Sequence, residues 1–322
     1  MADSVIHKID AIKPSRIRNS RRLAKIFRQR YLFIMLLPAL VCTVIFSYLP
    51  LSGWVMAFTE YKVGKSIWGA PWVGFKEFKA FFVDSGDALN VITNTVVMNV
   101  MSLVIGLGTA FIFAILLKEL QWPVFGKFVQ SITFFPYFMS WVILYAVIYS
   151  LFSVGSGAVN ETLVNWGIIR EPLNILGDAS YSWLLIVLVN TWNTLGYNSV
   201  IFIATIAGIP GEQYEAAEID GAGRFTKIFY ITVPNLTPTL IVLLIMNSGW
   251  IFNSGLDQYF MFTNPTNISK MQVFDYYIYN YGLKLFNYSY ATAVGIIKTM
   301  VSFILLILVN RLSKKYSGKA IF

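Results

Sequence analysis

The sequence predicts an all-α, polytopic integral membrane protein with six transmembrane helices and one short cytoplasmic helix between spans four and five. Three observations lead there. The 322 residues are 57% hydrophobic, with a mean hydropathy of +0.63. Only 13% are charged, where a soluble domain carries about 25%. Six apolar stretches reach the roughly 20 residues a helix needs to cross a bilayer: 31–58, 89–117, 128–152, 182–209, 236–260 and 290–312.

Residues 1–30 form a basic tail, with nine Lys and Arg. Pro14 to Arg30 reads as an amphipathic helix on the membrane surface, with Ile17, Leu23, Ile26 and Phe27 on its apolar side. The apolar run Tyr31 to Phe58 is too long for a signal-peptide core, and no small-residue cleavage site follows it. Pro38 and Pro50 predict kinks in the first span, and Pro136 in the third. The fifth stretch carries Asn247, Asn253 and Asp257 and is the least apolar. Residues 313–322 make a second polar tail. The spans therefore occupy 31–312, with a polar loop at 210–235.

Six spans place both termini on one side. If that side is cytoplasmic, the inside segments hold 17 Lys and Arg and the outside segments 7, with Lys298 inside a span. The positive-inside rule then fixes the orientation and puts loop 210–235 in the cytoplasm. The net charge of +9 is concentrated beside the first span, which suits anionic lipid rather than nucleic acid. Cys42 is the only cysteine and His7 the only histidine. Disulfides, thiol metal sites and histidine acid–base chemistry are therefore not expected. Trp68, Trp72, Trp166, Tyr276, Tyr277, Tyr279, Tyr281 and Tyr288 fall in the outer loops. Most of them read as an interfacial aromatic belt, and the loops together offer an outer docking surface.

Loop 210–235 is the most polar interruption of the C-terminal half. Pro210 suits a helix start, and Glu212, Glu215 and Glu218 favour its N-terminal dipole. Gly221 and Gly223 are expected to end that helix in the left-handed region. A second short helix, Arg224 to Ile231, should follow, and Pro234 should open the next span. Glu215-Ala216-Ala217, Gly221, Ile231 and Pro234 fall at the spacing Glu-Ala-Ala, three residues, Gly, nine residues, Ile, one residue, Leu-Pro. In this the chain resembles inner-membrane permeases of binding-protein-dependent ABC importers, over about residues 30–312. Val233 stands where Leu is usual, a mild departure.

The resemblance implies that loop residues Glu215, Ala216, Ala217, Asp220, Gly221 and Gly223 couple to an ATPase. It implies two ATP-binding cassette subunits, a second homologous permease, an extracytoplasmic solute-binding protein and a place in the bacterial inner membrane. No cofactor is expected in this chain; ATP and Mg would sit on the partner ATPases.

Polar residues inside spans usually face a cavity or a partner helix. Here they are Asn94, Thr95 and Asn99 in span two, and Asn190, Trp192, Asn193, Gly196 and Tyr197 in span four. Asn253, Asp257 and Gln258 belong to span five, and Lys298 to span six. Asn190, Asn193 and Tyr197 share one helical face, and Asn247, Trp250 and Ser254 repeat the spacing. Amides with aromatic rings suit a carbohydrate. The competing reading is that the same side chains hydrogen-bond helices together. Asn190-Thr191-Trp192 and Gly196-Tyr197 resemble the sugar-contacting span of maltose-type permeases. Gly255-Leu256-Asp257-Gln258 with Thr263-Asn264-Pro265 resembles oligosaccharide permeases, uronate permeases included. Lys298 calls for an anionic partner, with Asp257 a candidate, or for an acidic sugar.

Rival functions fare worse. A membrane enzyme lacks a His-Glu-x-x-His pair, paired intramembrane aspartates and a Ser–His set. Gly64-Lys65-Ser66 ends like a phosphate-binding loop, but Thr59 stands where glycine is required. A permease for a small non-sugar solute stays open at this level. An ion-coupled transporter or channel would not need the 210–235 loop.

Overall fold

The structure is a computed structural model and describes residues 29–317. Every regular element among them is helical; the one β-feature is an isolated bridge between Thr59 and Trp72. All but the last two residues of the expected tail helix at 14–30, and the tail end 318–322, lie outside the described residues. The chain divides into two units, Met1–Val55 and Met56–Phe322.

In the first unit, helix α1 (Arg30–Thr43) contains Pro38 without breaking. It passes into a π turn at Val44–Tyr48 and then a 3-10 segment at Leu49–Phe58, which begins at Leu49-Pro50. The expected disturbance near Pro50 is thus a change of helix type, since proline cannot donate to the ladder.

In the second unit, α2 (Ala88–Lys118) and α5 (Ala179–Ala207) pack along one another. Leu107, Ala110 and Ala114, spaced i, i+3, i+7 on α2, meet Phe202 and Ile206 of α5 and Leu236 of α7 (Val233–Ser248). The small side chains at 110 and 114 let the backbones approach, which is the main attraction available to helices in lipid.

The third stretch is sharply bent. Helix α3 (Pro123–Phe134) runs into a 3-10 turn containing Pro136, and α4 (Trp141–Phe152) leaves at 108° to it. Met139 is extended and Ser140 caps α4, its Oγ accepting from the Ile143 N–H at 3.4 Å. Proline and the cap together redirect the chain, a stronger effect than the expected kink.

The fifth stretch is displaced rather than continuous. Its helical run begins at Arg224, ends at Ser248, and leaves 249–256 without regular structure. Asn247, Trp250 and Ser254 therefore do not share a helical face as expected. Gly255 takes φ +75°, a left-handed value that ends any helix. A separate helix, α8 (Asp257–Phe262), follows, and then α9 (Phe274–Tyr279) and α10 (Tyr288–Ser317).

Among the described residues, four helical runs are long and apolar enough to cross a membrane, and up to six if each of two bent pairs counts as one. Tyr276 and Tyr277 correct the belt reading. Both are core residues, and the Tyr277 hydroxyl lies 2.7 Å from that of Tyr290 on α10. Trp68, Trp72 and Trp166 are exposed.

Candidate functional site

The polar loop folds as a helix-turn-helix. Helix α6 (Gly211–Ile219) starts after Pro210 with Glu212 in its first turn. It ends in a Schellman motif: the Gly221 N–H donates to Glu218 O at 3.0 Å, and the Ala222 N–H to Ala217 O at 2.8 Å. Gly221 holds the required φ of +75°. Gly223 does not share that role. Its φ of −70° and ψ of 171° make it the N-cap of the next helix, Arg224–Lys227. This helix does not stop at Ile231; it continues through a π segment, Ile228–Thr232, into α7.

Three sets of contacts fix α6 to its surroundings. Lys227 Nζ donates to Glu218 Oε1 at 2.6 Å, and this ammonium holds the Glu218 carboxyl below its ordinary pKa. The Tyr214 hydroxyl lies 2.9 Å from Thr232 Oγ1, and Lys118 of α2 sits 4.9 Å above the Tyr214 ring. Arg224 pairs with the Glu119 carboxylate and donates to the Glu119 carbonyl at 2.6 Å. The last contact joins the loop to the end of α2. Glu119 and Arg224 escaped the sequence reading, although an acid just after one span and an arginine just after the glycine turn were a legible complementary pair. Glu215, Ala216 and Asp220 are exposed, and so are Ile219 and Phe225, at 88% and 74%. The charged helix thus lies beside two uncovered apolar side chains.

The residues expected along a pathway separate into three places. Asn193, Gly196 and Tyr197 of α5 meet the break after α3. Asn193 is 8% exposed, and its Nδ2 donates at 2.7 Å to Pro136 O, which also accepts from the Met139 N–H at 3.0 Å. A Cβ on Gly196 would lie 2.5 Å from Phe134 Cα, so only glycine permits this crossing. Tyr197 stacks on Tyr137 with centroids 4.3 Å apart. Asn190 is half-buried on the same helix, whereas Trp192 faces an apolar hollow of about 370 Å³ with Phe152, Leu185 and Leu188.

Asn94 is buried elsewhere. Its Nδ2 donates to Ser269 O and Gln272 O at 3.0 and 3.3 Å, and its Oδ1 accepts from Trp183 Nε1 at 3.2 Å.

The third place is the unwound segment after α7. Lys298 pairs with the Asp275 carboxylate, not with Asp257 as expected, and donates to Asn253 Oδ1 at 3.2 Å. The second oxygen of Asp275 accepts from the Ser254 N–H at 2.9 Å, and Asn99 Nδ2 donates to Ser254 Oγ at 2.7 Å. Irregular backbone at membrane depth needs such internal partners. Asp257 is exposed at the start of α8, because the unwinding turns it away from Lys298's partners. Gln258 is buried and donates to Ser254 O at 3.2 Å. Asp275 was missed because it lies in an aromatic run counted as a loop; a lone acid among Phe274, Tyr276 and Tyr277 was the available signal.

Residues 88–318 match the model of the family described as binding-protein-dependent transport system inner membrane component. The chain is 35% identical over 321 residues to the polygalacturonan/rhamnogalacturonan transport system permease protein YteP of Bacillus subtilis, covering 100% of this chain and 99% of that one. It is 31% identical over 206 residues to the lactose transport system permease protein LacF of Rhizobium radiobacter, covering 63% and 68% of the two chains. Among solved structures it resembles a chain of a bacterial ABC transporter involved in import of the acidic polysaccharide alginate. The TM-score is 0.83 at 31% identity, covering 92% of this chain and 99% of that one.

Proposed function

From the fact that this chain belongs to the binding-protein-dependent transport system inner membrane component family, we propose that it is the permease subunit of an ABC importer for oligosaccharides, acidic ones in particular. The end-to-end match to a permease for polygalacturonan and rhamnogalacturonan carries the cargo assignment. The alginate importer's structural likeness supports the same class. Two lysines fit an anionic sugar: Lys270 lies 4.5 Å above the Trp183 ring, and Lys284 packs against Tyr276 and Tyr279. Neither makes an ion pair among the described residues, so each offers charge beside an aromatic face.

The chain hydrolyses nothing in this reading; ATP and Mg belong to two partner ATPases. Helix α6 docks on one of them, with Glu215, Ala216 and Asp220 on the exposed surface, Ala217 half-buried beside them, and Gly221 and Gly223 shaping the turn. Closure of the ATPases pulls α6. The Arg224–Glu119 pair and the continuous backbone into α7 pass that motion to α2 and α7, giving rigid-body alternation of access. A second homologous permease completes the pathway, and a solute-binding protein delivers cargo from the far side. The cytoplasm holds loop 210–235 and both termini, in keeping with the 17-to-7 distribution of Lys and Arg. Asn190, Trp192, Tyr197, Asn253, Asp257 and Lys298 remain the pathway candidates in this chain. Asn94, Asn193, Gly196 and Gln258 join them only by holding the pathway's walls.

The test is reconstitution with the neighbouring permease, ATPase and binding protein in liposomes. Galacturonate or alginate oligomers should stimulate ATP hydrolysis and enter, while a neutral malto-oligosaccharide should not. ATP hydrolysis by this chain alone would sink the assignment as a permease, and uptake of the neutral sugar alone would sink the acidic cargo.

A further inference from the structure

Neither candidate site uses the groove where α2 ends and α3 begins. It has a volume of about 360 Å³ and lies between the ends of α2 and α5 and one face of α3. Leu117 and Ile206 give it an apolar floor, while Lys118, Trp122, Lys127 and Gln130 line it with polar and aromatic groups. Pro123, Lys127 and Gln130 are spaced i, i+4, i+7, so a single face of α3 looks into it. Beside it Trp122, Val124, Phe125 and Phe128 border a second, wholly apolar hollow. Trp122 is 75% exposed.

The charges here do not cancel. Glu119 is the only acid between positions 114 and 130, and Arg224 already engages it. Lys118 and Lys127 make no ion pair among the described residues. Lys118 rests on the Tyr214 ring, which leaves its charge intact. Two uncompensated ammonium groups, an exposed tryptophan at a helix end and an apolar trough match a phospholipid part by part. The phosphate meets the lysines, the indole sits at headgroup level and an acyl chain follows the trough.

We propose that this groove binds an anionic phospholipid of the surrounding bilayer. A soluble phosphate would leave the apolar trough unused. Because Lys118 also touches Tyr214 of α6, a lipid held there steadies the root of the docking helix. The proposal rests on the chain being a membrane protein, not on its cargo.

The full chain, purified in mild detergent, would be offered phosphatidylglycerol or phosphatidylcholine and examined by native mass spectrometry. Two lysine–phosphate contacts predict retention of phosphatidylglycerol about tenfold above phosphatidylcholine. K118Q/K127Q should abolish that preference and K118R/K127R should keep it. Should the double variant fold poorly, K127Q alone, on an exposed helix face, should reduce the preference severalfold. A preference that survives K127Q and K118Q/K127Q overturns the site. So does an equal loss in K76Q/K79Q, which would mean bulk charge, or displacement of the lipid by inorganic phosphate. The readout involves no transport, so it stands or falls separately from the sugar assignment.

Discussion

Lys298 and Asp275 are each mostly buried, with side chains 16% and 18% exposed. Removing one partner strands the other, so Lys298→Ala or Asp275→Ala should each cost about 3 kcal/mol in thermal unfolding of the purified chain. The double variant K298M/D275L should recover much of it; simple additivity would mean the two groups do not act as a pair. Gly196 makes a different demand. Gly196→Val drives side-chain atoms into the Phe134 backbone and should cost about 1–3 kcal/mol. Gly108→Ala should be tolerated, since nothing lies within 4 Å of that site. Asn193→Ala should likewise lower the melting temperature, at a cost of about 1 kcal/mol, by removing the buried amide's bond to the Pro136 carbonyl, which then keeps only the Met139 N–H. Uptake lost at an unchanged melting temperature would instead give Asn193 a direct role with solute.

At the level of elements, the helix-turn-helix is held by polar contacts rather than by a core of its own. Arg224→Ala should leave insertion intact yet reduce transport-coupled ATP hydrolysis, because α6 loses its attachment to Glu119. Gly221→Asp should act similarly through the turn, since a side chain at φ +75° is strained by about 1 kcal/mol. Unchanged coupling in both, at normal expression, would remove the loop from the transmission path. The Glu218–Lys227 pair sets a pH dependence. Its folded carboxyl titrates below the ordinary value. The pair's stabilisation is therefore complete above the ordinary carboxylate range and disappears as pH falls through the lowered value. Hydrogen-exchange protection factors across 211–222, corrected for the intrinsic rate at each pH, should fall at acid pH in the wild type and be flat in Glu218→Gln.

For the whole molecule, orientation is the decisive property. In a Cys42→Ser background, a cysteine at position 218 should be shielded from an impermeant reagent applied outside intact cells, and one at position 75 should react. Labelling of 218 from outside would invert the topology and with it the direction of coupling.

Composition and run length by themselves determined that this chain is helical and membrane-embedded, because the bilayer sets both the apolarity and the length of a span. They located α2, α5 and α10 closely, and the glycine at 221 was legible because a left-handed cap has a residue requirement. The membership read from the 215–234 spacing agrees with the family match. Tertiary structure alone decided where helices stop when polar residues compete for their backbone. Residues 247–258 look like a weak span in one dimension. Positions 249–256 unwind, and residues remote in sequence hold them: Asp275 accepts from the Ser254 N–H, while Asn99 and Lys298 donate to the Ser254 and Asn253 side chains. The same holds for Asn193, whose amide looked like a sugar ligand until the turn at Pro136 placed a carbonyl 2.7 Å away, where it accepts from the amide as well as from the Met139 N–H. A hydrogen-bonding side chain announces its chemistry in the sequence, but its partner is fixed only when the chain folds.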